Sequence, residues 1–131
     1  MLTTNAFFAL FFFGSSFGLL FVLVGYFTYH LGKKKTVNSF IGVKIPPTIR
    51  NQDVWMNVNM RIGLLMILHG IFLVIFSVIL PLMYNPFLLL ASLFLPLAIY
   101  LPYGIWYAYH LESQYTQTSQ TNNTQAIKQT A

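Results

Sequence analysis

A chain of 131 residues that is 56% hydrophobic and only 7% charged cannot clothe a water-facing surface, since a soluble domain carries about 25% charged residues. One lipid-facing domain is what this length and composition allow. The absence of cysteine excludes disulfides and thiolate metal sites, and the net charge of +5 is concentrated beside apolar runs, so a nucleic-acid partner is not expected.

The first apolar run, residues 6–31, holds no charged residue and is rich in Phe. About 20 helical residues cross the hydrocarbon core of a bilayer, so this run predicts a transmembrane helix. A cleaved signal peptide needs a basic leading segment and a small-residue cleavage site. Residues 1–5 carry no Lys or Arg, and the run ends in Tyr26, Tyr29 and His30, so that reading is set aside. Gly14 and Gly18 form a small-xxx-small pair, with Gly25 seven residues on. Such residues let helices approach closely in lipid.

Residues 32–51 read as a connecting loop. It carries Lys33, Lys34, Lys35, Lys44 and Arg50. The lysine run suits topology determination and contact with anionic lipid headgroups. Pro46-Pro47 predicts an extended segment. Asn51 is placed to cap a following helix, and Asp53 falls in that helix's first turn, where the dipole favours a negative charge.

The second helix is predicted over about residues 52–82. At about 43 Å it exceeds the hydrocarbon thickness, so its first turns belong to the headgroup zone, where Trp55 suits the interface. Asp53, Asn57 and Arg61 recur every four residues and form a polar stripe, either a ligand or partner site or the wet face of an interfacial helix with Arg61 reaching lipid phosphates. Val54, Val58 and Ile62 form the adjacent apolar stripe. Gly63, Gly70 and Ser77 recur every seven residues and predict a helix-packing face within the monomer. His69 is the one ionisable side chain deep in a run; it is a candidate for proton or metal chemistry, or for a neutral hydrogen bond across helices.

A tight hairpin is predicted over residues 81–86, and the third helix over residues 86–110, kinked at Pro96 and Pro102. Tyr103, Trp106, Tyr107 and Tyr109 form an aromatic belt at its end. Residues 1–112 are thus read as a three-helix membrane domain, all-α. The tail, residues 113–131, is mostly Gln, Thr, Asn and Ser and is expected to be disordered. Six of the seven basic residues lie between the first and second runs and Lys128 lies in the tail. The positive-inside rule puts that loop and the tail in the cytoplasm and the N-terminus outside.

No Asp or Glu is embedded in a run, which argues against a proton-coupled transporter. No paired acid and base, nucleophile motif, phosphate loop or metal motif is present, so neither an enzymatic activity nor a cofactor is expected.

Residues 38–63, NSFIGVKIPPTIRNQDVWMNVNMRIG, resemble the motif of the SdpI-type bacterial immunity proteins. These are small membrane proteins that protect a producer from its own secreted toxin. The pattern falls on Asn38, Gly42, Lys44, Pro46, Thr48, Asn51, Trp55 and Gly63, with Lys44 where the family favours Arg. The resemblance implies a multi-pass protein of the bacterial cytoplasmic membrane that binds a peptide toxin or the toxin's membrane target, with the motif residues in a structural and binding role. A structural or accessory subunit of a membrane complex is the alternative expectation, and a small transporter the third.

Overall fold

The computed structural model describes residues 4–34, 37, 40–79 and 86–130. Four helices account for nearly all of them: α1 (Thr4–Lys33), α2 (Pro46–Arg50), α3 (Gln52–Ile79) and α4 (Pro86–Thr130). Three of these, α1, α3 and the Leu90–Asn122 part of α4, are long and apolar enough to cross a membrane. The architecture is all-α. The middle helix, α3, lies against α1 along its length and against α4 on another side.

Contact between α1 and α3 is backbone against backbone. A Cβ built on Gly18 would lie 2.7 Å from the Gly70 carbonyl oxygen, and one on Gly25 2.7 Å from that of Gly63. The pairs run in opposite order along the two helices, so the helices are antiparallel. Gly14 is buried on the same face, and Ser15 and Ser77 close the far end with a hydroxyl pair at 2.8 Å. Lipid tails are as apolar as leucine, so helices associate in a bilayer through close packing and hydrogen bonds. Glycines at these positions permit both.

Pairing of α3 with α4 uses side chains. Val54, Val58 and Ile62 form a buried cluster with Ala108, ringed by Tyr103, Tyr107, Leu111 and Tyr115. Deeper in the span, Pro96 lacks the N–H that would bond the Ser92 carbonyl. His69 supplies one instead: its Nε2 lies 2.9 Å from Ser92 O, and its Nδ1 2.7 Å from the Tyr100 hydroxyl. A carbonyl only accepts, so Nε2 donates to Ser92 O, while Nδ1 pairs with the Tyr100 hydroxyl. The imidazole spends both nitrogens on α4.

Several expectations are corrected. The polar tail is helical: α4 continues without a break from the apolar span to Thr130. No Gly or Pro follows Gly104 to stop it, extension of an existing helix avoids the cost of nucleation, and hydroxyls of Thr116, Thr118, Ser119, Thr121 and Thr124 fold back on carbonyls one turn earlier. Pro46-Pro47 does not hold an extended strand; it opens the short helix α2 at positions N1 and N2, where the missing N–H is not needed. Nor does Trp55 face the headgroups, for it is fully buried. The expected hairpin, apart from Pro86, lies outside the described residues, as do Lys35 and Asn38.

Candidate functional site

The motif residues converge where the loop meets α3. Gly42 has φ +123°, a backbone conformation that residues with a side chain rarely adopt. A Cβ there would also lie 2.6 Å from Trp55 Cη2 and 2.7 Å from Asn59 Oδ1. The loop backbone therefore rests directly on the indole. The next amide, Val43 N–H, donates to Asn59 Oδ1 at 2.6 Å, while Asn59 Nδ2 donates to the Trp55 carbonyl at 2.9 Å. A fully buried amide thus staples the loop to the helix.

Thr48 fastens the next segment. Its hydroxyl accepts from Ile45 N–H at 3.0 Å and lies 2.7 Å from Val43 O and 2.9 Å from Ile45 O, to one of which it donates. These backbone groups are part-buried, and a buried backbone polar group without a partner is costly. Pro47 is buried beneath them and Pro46 is exposed.

Asn51 joins two helices. Its N–H donates to Pro47 O at 3.2 Å, closing α2, and its carbonyl accepts from Trp55 N–H at 2.9 Å. Its side-chain oxygen accepts from Asp53 N–H at 2.9 Å and Val54 N–H at 3.3 Å. That is an N-cap on the first turn of α3. Trp55 Nε1 is buried and, among the described residues, has no hydrogen-bond partner.

Gly42, Thr48, Asn51 and Trp55 are therefore brought together. Lys44 stands exposed beside them. Gly63 is placed elsewhere: a Cβ on it would meet the backbone of Gly25 and Tyr29, so it belongs to the α1–α3 contact. Asn59 went unnoticed in the sequence. Its signal was available, one turn after Trp55 and one turn before Gly63 on a single helix face.

Of the stripe Asp53, Asn57 and Arg61, the latter two bond across to α4. Asn57 Nδ2 donates to Asp53 O at 2.9 Å and to the Tyr115 hydroxyl at 3.3 Å. Arg61 donates from one guanidinium nitrogen to the Tyr103 hydroxyl at 2.7 Å and lies over the Tyr107 ring, 4.6 Å from its centroid. At the surface, Arg50 approaches Glu112 to 4.0 Å, a contact that solvent screens heavily.

Comparison with known proteins gives one match. The model of the SdpI/YfhL protein family matches residues 34–104, which take in the loop, α2, α3 and the first part of α4. No curated protein and no solved structure matches the chain.

Proposed function

The chain belongs to the SdpI/YfhL protein family, and from that premise we propose that it is a membrane immunity protein, giving its producer resistance to a secreted toxin. It sits in the cytoplasmic membrane with the α1–α3 loop, α2 and the end of α4 on the cytoplasmic side, an orientation supported by the one-sided distribution of Lys and Arg. Protection comes from binding the toxin or the toxin's target in or at the bilayer. No catalytic step and no cofactor is assigned.

The observation that carries this reading is the coincidence of the family match with the junction built by Gly42, Thr48, Asn51, Trp55 and Asn59. That junction fixes where α3 begins and how it lies against α1 and α4. The bilayer face that meets a toxin arriving from outside is set by the same helices. The motif therefore acts by holding the bundle in one arrangement, not by touching the toxin from the far side of the membrane.

Expression of the full chain in a toxin-sensitive relative tests the proposal. Challenge with culture supernatant of the source organism is expected to leave more survivors than an empty vector. Equal survival, with the chain confirmed in the membrane, overturns it. A second reading, an accessory subunit of a membrane complex, is favoured by the exposed stretch of α4 over residues 116–122, and it predicts a stable complex without protection.

A further inference from the structure

We propose that the groove between α3 and α4 binds an anionic phospholipid, with its phosphodiester on Arg61 and an acyl chain along the apolar wall. The groove has a volume of about 590 Å³, within the range of small-molecule sites, about 300–1,000 Å³. Arg61 and Tyr103 stand at one end, and Leu64, Leu65, Leu95 and Ile99 line the rest. From Tyr103 to Leu95 the wall follows α4 for about 12 Å.

The depth of Arg61 fits a headgroup. Residues 62–79 of α3 contain no Asp, Glu, Lys or Arg and span about 27 Å of helix, close to the roughly 30 Å of hydrocarbon core. Arg61 stands at the boundary of that stretch. Its guanidinium is oriented but not neutralised. The Tyr103 hydroxyl and the Tyr107 ring that hold it are uncharged groups, and among the described residues no carboxylate pairs with it. Glu112 instead faces Arg50.

An oriented guanidinium with free N–H groups matches the fork geometry of a phosphate. A net anionic lipid neutralises it, whereas a phosphatidylcholine brings its own cation. The wall next to Arg61 is apolar, which suits a chain attached to that phosphate and not a free anion. This inference does not rest on the immunity reading.

Native mass spectrometry of the full chain in mild detergent tests it, with phosphatidylglycerol and phosphatidylcholine added in equal amounts. Retention of phosphatidylglycerol is expected to exceed that of phosphatidylcholine by at least about tenfold, the scale of a charge-assisted hydrogen-bond pair. Arg61→Gln should abolish the preference. Ile99→Trp, which fills the groove at a lipid-exposed position and keeps the charge, should reduce retention of both lipids. A double variant, Lys33→Gln with Lys34→Gln, should leave the preference unchanged. Equal retention of the two lipids by the intact chain overturns the proposal. So does an equal loss in the lysine variant, which would mean a diffuse basic surface, and so does displacement of the lipid by a copurifying acidic peptide. Circular dichroism and monodisperse elution check that each variant is folded.

Discussion

Trp55 shows how a single side chain organises the loop. Its indole is fully buried, with the Gly42 backbone laid against it and its carbonyl held by Asn59. Truncation to alanine removes the largest fully buried side chain among the described residues and should cost about 3–5 kcal/mol, read as a fall in unfolding free energy in detergent. Trp55→Phe should cost less than Trp55→Ala, because it leaves a smaller cavity and, among the described residues, Nε1 has no hydrogen-bond partner to lose. A loss for Phe as large as that for Ala would contradict this ordering. Gly42→Ala carries a backbone penalty of about 1–3 kcal/mol, to which contact with the Trp55 ring adds.

Each helix contact has its own chemistry. The α3–α4 pair is tied through His69, which occupies the carbonyl released by Pro96. His69→Leu removes the bonds that His69 makes to Ser92 O and to the Tyr100 hydroxyl, at about 1–3 kcal/mol for a buried polar group that loses its partner. Pro96→Ala restores an N–H able to bond Ser92 O within α4. The two changes should therefore couple: the cost of His69→Leu is expected to be smaller in the Pro96→Ala background, as a double-mutant cycle measures. Strict additivity would mean that His69 does not serve that carbonyl. Some of this organisation is visible in the sequence. The seven-residue spacing of Gly63, Gly70 and Ser77, and Asn51 placed before an acidic first turn, both depend on local periodicity. The partners do not. That Asn59 reaches back sixteen residues to Val43, or that His69 meets Ser92, follows from tertiary proximity, which no local spacing encodes. The helical tail was misjudged for a related reason. Polar composition gives it little to bury, but it continues a helix already formed and needs no nucleus of its own.

At the scale of the molecule, α3 is the axis on which everything else is hung. The loop seals its start, α1 packs on its glycines, and α4 meets it through aromatic and apolar side chains. Tyr115 bonds Asn57, whereas the hydroxyls that follow it bond back along α4 itself. Deleting residues from Thr116 onward should therefore leave membrane insertion and thermal stability unchanged. Loss of insertion, seen by fractionation and carbonate extraction, would contradict this division. Three apolar spans were legible in the sequence because length and hydropathy alone define them. Their mutual arrangement was not, since both α1 and α4 present apolar residues on all sides.

The junction of loop and α3 is held to be what makes protection possible, and survival under toxin challenge tests that most directly. Sensitive cells carrying the intact chain, the Gly42→Ala variant or an empty vector are compared at matched abundance in the membrane. The account predicts high survival with the intact chain and a marked fall toward the empty vector with Gly42→Ala. Survival with Gly42→Ala equal to that with the intact chain, or an intact chain no better than the vector, would contradict it.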